Sequence, residues 1–200
     1  MAGRERNAER SRERILNAAL DEFAANGYAG ARVEAIARRA GLNKQLISHH
    51  FGGKEALYRA VMGERRMRGG GELTGDPDRF PDALATFFDR ASADPQWIRV
   101  LLWEALETDE AVESAAGLEA RRCRYAERIA WVADEQRAGR LPSDLDPEML
   151  YLMLLGMALY PVLLPQVGEI ATGSRPGSEQ FATRYRDQLR RLAVHLGSTD

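Results

Sequence analysis

Residues 33–51, VEAIARRAGLNKQLISHHF, constrain the fold more than any other stretch of this chain. Val33, Ile36, Ala37 and Ala40 recur at helical spacing and predict a helix over 33–40. Gly41 ends it, and Asn43 caps a second short helix over 44–50. The glycine lets the chain turn sharply, while Leu42 and Ile47 are placed to bury between the two helices and fix their angle. This is the pattern of a helix-turn-helix. The second helix projects Lys44, Gln45, Ser48, His49 and His50 outward, donors and acceptors suited to base edges and phosphates in a major groove. On pattern alone, two helices of a bundle presenting a solvated face fit equally well.

The rest of the sequence also reads as helix, with no alternating strand and no Asn-Gly or Asp-Gly hairpin between apolar runs, so the expected fold class is all-α. Ile15, Leu16, Ala19, Leu20 and Phe23 give the first helix one apolar face, from Ser11 as N-cap to Asn26, with Gly27 as its left-handed stop. A fourth helix covers 54–68, ended by Gly69-Gly70-Gly71. Further helices are predicted over 77–92, 94–107, 111–138, 147–164 and 178–196, with 168–177 as a loop. The domain reading is a head over 1–53 and a helical body over 54–200, helix 54–68 bridging the two.

Net charge is only −2, but it is unevenly spread. Residues 1–68 hold fourteen basic and eight acidic residues, and the remainder fourteen and twenty-two. A basic head on an acidic body is the asymmetry of a DNA-binding module joined to a body that does not bind DNA. Within the head, Arg4, Arg6, Arg10, Arg12 and Arg14 alternate with Glu5, Glu9 and Glu13. This arm reads either as a basic extension reaching phosphates or the minor groove, or as a frayed helix with local Glu–Arg pairs.

The run Ile15–Val61 resembles the DNA-binding domain of the tetracycline-repressor (TetR) family. The matching features are the apolar first helix ending in Asn26-Gly27-Tyr28, Ile36-Ala37 followed by Ala40-Gly41-Leu42, and Phe51 followed by Lys54-Glu55 and Leu57. The all-helical remainder and the turn Gly139-Arg140-Leu141 before Asp146-Pro147 also suit the family. The resemblance implies that Lys44, Gln45, Leu46, Ser48 and His50 face bases or backbone, with His49 beside them. It implies that Arg32, Val33 and Glu34 approach the backbone at the start of the second helix, and that Lys54 contacts a phosphate. Lys44 and Lys54 are the only lysines in the chain. Three positions depart from the pattern. Ala31 and Arg32 stand where Thr or Ser often caps the second helix, Ser48 and His49 stand near a usual aromatic, and Gly53 replaces a Ser, Asp or Asn cap.

The resemblance further implies a body that dimerises and holds a small-molecule effector. The run 149–164, MLYLMLLGMALYPVLL, is apolar on every face and so implies burial on every side; it is short of a membrane span and contains Pro161. With the last helix it predicts a two-fold interface using Met149, Leu152, Leu159, Leu163, Phe181, Tyr185, Leu189 and Leu192. Phe87, Phe88, Trp97, Trp103, Glu104, Tyr125, Trp131, Met153, Met157 and Tyr160 are the candidate effector-pocket residues; a bulky stripe at this spacing is more often plain core, and Glu104 reads either as meeting a cationic ligand or, more readily, as pairing with an arginine.

Nothing points to catalysis, to a cofactor or to a metal site: the histidines are His49, His50 and His195, and Cys123 is the only cysteine. A charged N-terminus without an apolar segment argues against a signal peptide, and the expected location is cytoplasmic. The chain is thus expected to be a ligand-responsive repressor that binds a pseudo-palindromic operator as a homodimer and is released by a small hydrophobic effector. The alternative is a helical enzyme or carrier that binds a small molecule and no DNA.

Overall fold

The computed structural model describes residues 2–68, 80–107 and 118–197. Among them are ten helices and no strand: α1 Ala2–Gly30, α2 Val33–Ala40, α3 Lys44–Phe51, α4 Lys54–Arg68, α5 Phe80–Ala93, α6 Pro95–Leu106, α7 Leu118–Arg137, α8 Pro147–Leu163, α9 Pro165–Thr172 and α10 Glu179–Gly197. The glycine triplet, the start expected at Pro77 and residues 111–117 of the expected long helix lie outside the described residues. The chain forms two compact units, α1–α4 with α6, and α5 with α7–α10. This division does not follow the sequence boundary at Gly53–Lys54, because α4 and α6 both pack with the head.

In the first unit, Ile15, Leu20, Phe23, Ile36, Ile47, Leu57 and Met62 are buried in one core, with Trp97, Val100 and Leu101 of α6 packed in or against it. Ser11 is not an N-cap: α1 begins at Ala2 and passes through it. The Arg/Glu-rich arm has good helix formers and no breaker between Arg4 and Ser11, so helix propagates through it. The left-handed stop expected at Gly27 is a kink instead: Gly27 has φ 68° but ψ 179°, outside the left-handed helical region, and the helix resumes for one further turn to Gly30.

In the second unit, Phe80, Leu84, Phe88, Val132, Leu150, Tyr151, Leu154, Phe181 and Leu189 form the core. α5 and α10 run antiparallel, tied by Arg186 to Asp89 at 2.6 Å and Arg190 to Asp82 at 2.7 Å. Asp146 caps α8 through the backbone N–H groups of Glu148 and Met149, and Pro147 follows it in the first turn. Residues 168–177, expected as a loop, begin inside α9 instead. Pro165 starts that helix, and Gly173 at φ 67° ends it.

Pro161 removes the N–H that would reach the Met157 carbonyl four residues earlier. The Tyr185 hydroxyl takes its place, donating to that carbonyl at 2.7 Å. Burial raises the Tyr185 pKa, which keeps the hydroxyl protonated as the donor. Tyr185→Phe therefore leaves a carbonyl without its donor and is expected to lower stability by about 1–3 kcal/mol. Denaturant melts decide it, and an unchanged midpoint contradicts this role.

Candidate nucleic-acid interface

The first helix of the motif, α2, is held at both ends by α1. Its N-cap residue, Arg32, makes no side-chain cap, as the absence of Ser or Thr there implied. The buried Glu22 carboxylate stands in: it accepts the Arg32 backbone N–H at 3.3 Å and lies 3.8 Å from the Arg39 guanidinium. At the other end, Arg14 donates to the Ala40 carbonyl at 2.5 Å, and Gly41 turns the chain with φ 62°. A carboxylate at the N-terminus and a guanidinium at the C-terminus both suit the helix dipole. Neither Glu22 nor Arg14 carries a local motif, so sequence reasoning missed both roles; by sequence Arg14 reads as part of the arm.

α3 starts on Asn43, whose side chain accepts the Gln45 N–H at 3.0 Å, and it is anchored by the buried Ile47. Lys44, Gln45, Ser48 and His49 are exposed, with Leu46 and His50 half-buried at the edges of the face. Arg32 and Glu34 are exposed beside them, while Val33 packs partly against the core. Lys44 pairs with Glu34 at 2.5 Å. The hydrogen bond from Lys44, and behind it one from the backbone of Glu34, holds the Glu34 carboxyl below the usual carboxylate range. The pair is therefore intact at neutral pH and is lost only as pH falls through the lowered pKa. Lys54 rests over the Tyr28 ring, 4.7 Å from its centroid, and donates to the Ala29 carbonyl at 3.2 Å. Arg12, from the arm, lies over the Phe51 ring and 3.5 Å from Glu64.

This geometry has close counterparts. Residues 15–61 match the family described as bacterial regulatory proteins, tetR family, and residues 80–194 match the tetracyclin repressor-like C-terminal domain. The chain belongs to the TetR family. The HTH-type transcriptional repressor SCO4008 of Streptomyces coelicolor is 32% identical over 96% of this chain and 97% of that protein. The HTH-type transcriptional regulator RutR of Escherichia coli is 29% identical over 96% of this chain and 92% of its own length. The crystal structure of SCO4942 from Streptomyces coelicolor superimposes with a TM-score of 0.75 at 30% identity, covering 92% of this chain and 97% of that one. This TetR-family chain is a transcriptional regulator with a helix-turn-helix head and a helical C-terminal domain.

The body residues fall into groups. Phe87, Phe88, Tyr125, Trp131 and Met157 gather in or against the core of the second unit, Phe88 with its ring 5.0 Å from Tyr185 and Trp131 with its ring 5.8 Å from Phe80. Trp97, Trp103 and Glu104 belong to α6, in the first unit, and Met153 and Tyr160 are exposed on α8. The placement of Phe181, Tyr185 and Leu189 on a partner-facing stripe is corrected: Phe181 and Leu189 are buried and Tyr185 packs against them, because that stripe seats α10 on α5 of its own chain, with the Tyr185 hydroxyl reaching Met157 of α8. α8 is buried on one face only within the single chain. Met149, Leu152, Met153 and Tyr160 form an exposed apolar row in the single chain, Leu159 and Leu163 are half-buried, and Leu192 of α10 is exposed. No single described helix is long and apolar enough to cross a membrane.

Proposed function

We propose that this regulator is a cytoplasmic repressor that binds a pseudo-palindromic operator as a homodimer and leaves it when a small hydrophobic effector binds the helical body. The observation that carries this reading is the polar face of α3, exposed on a helix anchored by Ile47 and braced through α2 by Glu22 and Arg14. Such a helix keeps its side chains in place for a groove. The repressor name of SCO4008 supports the sign of regulation. For the effector, support comes from the aromatic core of the second unit. Its Trp131 indole N–H is buried without an acceptor among the described residues, and Arg128 donates to the Tyr151 hydroxyl while lying over the Tyr125 ring. These are the few polar groups that an apolar pocket uses to orient a ligand. A dimer would set its two recognition helices in successive major grooves, roughly 34–36 Å apart. Effector binding then shifts the population from DNA-competent to DNA-incompetent states.

The first test is a mobility shift on the DNA upstream of this gene and its neighbours; failure to retard any of it contradicts the reading. The second separates roles within the head. Gln45 is exposed on α3, and its amide can bond adenine bidentately. Gln45→Ala is expected to cost about 1–3 kcal/mol on the operator and to relax one base pair per half-site. Lys54→Ala is expected to weaken operator and random DNA alike. It should reduce the salt slope by about 1 for each phosphate that Lys54 no longer neutralises, hence about 2 per dimer. Equal losses on both DNAs for Gln45→Ala, or an unchanged slope for Lys54→Ala, would reverse these assignments.

A further inference from the structure

Lys54 owes its position to a short piece of chain. The Tyr28 ring beneath its ammonium and the Ala29 carbonyl that accepts from it both lie in the single turn left after the break at Gly27. A one-turn fragment beyond a break has little helical cooperativity of its own. What fixes it comes from far along the sequence. Glu107, just past the end of α6, accepts the Ala29 backbone N–H through Oε1 at 3.3 Å. One turn earlier in α6, the Trp103 indole N–H donates to the Ala24 carbonyl on the other side of the break, also at 3.3 Å. Ala29 is thus gripped at its N–H by Glu107, while its carbonyl carries Lys54.

The other Glu107 oxygen, Oε2, is buried with no hydrogen-bond donor in reach among the described residues. An unsatisfied buried carboxylate oxygen is destabilising, so packing alone does not account for a glutamate here. We infer that Glu107 is a positioning residue for Lys54: by holding Ala29 it sets the carbonyl and the ring on which the ammonium rests, and so sets where a DNA phosphate meets that charge. The inference rests on the reading of Lys54 as a phosphate contact. It gives α6, which by sequence lies inside the C-terminal domain match, a direct hold on the affinity of the head.

The test uses the full chain and a random-sequence duplex, titrated at several salt concentrations after the active fraction of each variant is set by stoichiometric binding. Glu107→Ala is expected to weaken binding by roughly tenfold, the size of one charge-assisted hydrogen bond. It should lower the salt slope in the same sense as Lys54→Ala, and in the Lys54→Ala background it should add nothing further. Glu107→Gln keeps an oxygen able to accept from Ala29 and is expected to restore the slope. Glu107→Asp, one methylene short, is expected to behave as Glu107→Ala and serves if the alanine variant does not fold. A residue that only stabilised the fold would lower the melting temperature, leave the slope alone and add to Lys54→Ala. That outcome, with Lys54→Ala itself lowering the slope, overturns the role of Glu107 and spares the reading of Lys54. An unchanged slope in Lys54→Ala overturns the phosphate contact and the inference with it.

Discussion

Replacing Leu152 and Met153 together by aspartate is expected to yield a folded monomer that no longer binds the operator tightly. The basis is the row Met149, Leu152, Met153 and Tyr160 on α8, which is 49%, 56%, 57% and 49% exposed in the single chain. Gly156 lies in the same row and opens onto space free of neighbouring atoms. The three-and-four spacing puts these residues on one face of the helix, uncovered over several turns. An exposed apolar patch of that extent marks an interaction site, and in the proposed dimer a second copy of the same helix would meet it under two-fold symmetry. Two carboxylates on each protomer would place four like charges at the centre of that contact. The opposite face of α8, with Leu150, Tyr151, Leu154 and Ala158, stays in the protomer core, so helix content should be unchanged. A monomer engages one half-site and loses the effective concentration that couples the second head, about a hundredfold to ten-thousandfold in affinity. Light scattering and operator titration read the two effects. Retention of twice the monomer mass would place the interface elsewhere. Leu189→Asp is a different experiment: Leu189 is buried in its own protomer, so that charge is expected to unfold the second unit rather than to dissociate two intact chains.

The head was legible in the sequence where its determinants are local. Gly41 must accept φ 62°, Asn43 caps the next turn, and Ile47 recurs at the right spacing to be buried; each signal lies within a few residues of what it controls. The supports of that head were not legible, because they act across long loops of chain. Glu22 caps a helix ten residues on, Arg14 reaches a carbonyl twenty-six residues away, and Glu107 binds Ala29 across seventy-eight. Nothing in a window of sequence distinguishes these three from any solvated charge. In the body, apolar periodicity found α8 and α10 but did not say which core each stripe enters. The stripe of α10 closes its own protomer, whereas α8 buries one face and leaves the other open. α9 was hidden because Gly168, Gly173 and Gly177 read as loop punctuation, yet only Gly168 lies inside the helix, between residues that propagate it.

The largest loss of stability from a single methyl group is expected at Gly27. Its φ of 68° with ψ near 180° belongs to a region that only glycine visits freely, and forcing alanine into it costs about 1–3 kcal/mol. The new Cβ would also find no room. It would press into Glu107 Oε1 and come within 2.9 Å and 3.0 Å of Trp103 Cε3 and Cδ2. The carboxylate can swing away only by releasing the Ala29 N–H, and the indole only by releasing the Ala24 carbonyl. Strain and the two broken hydrogen bonds together should exceed about 3 kcal/mol, a large share of the stability of a domain of this size. Urea melts of Gly27→Ala measure the total. Repeating the substitution in a Trp103→Leu background, where the rigid ring is gone, divides it: the steric part should shrink while the backbone part persists. If Gly27→Ala cost less than about 1 kcal/mol in the otherwise unchanged chain, below the backbone strain alone, the break in α1 would relax freely into continuous helix, and α6 would exert no hold on the turn that carries Lys54.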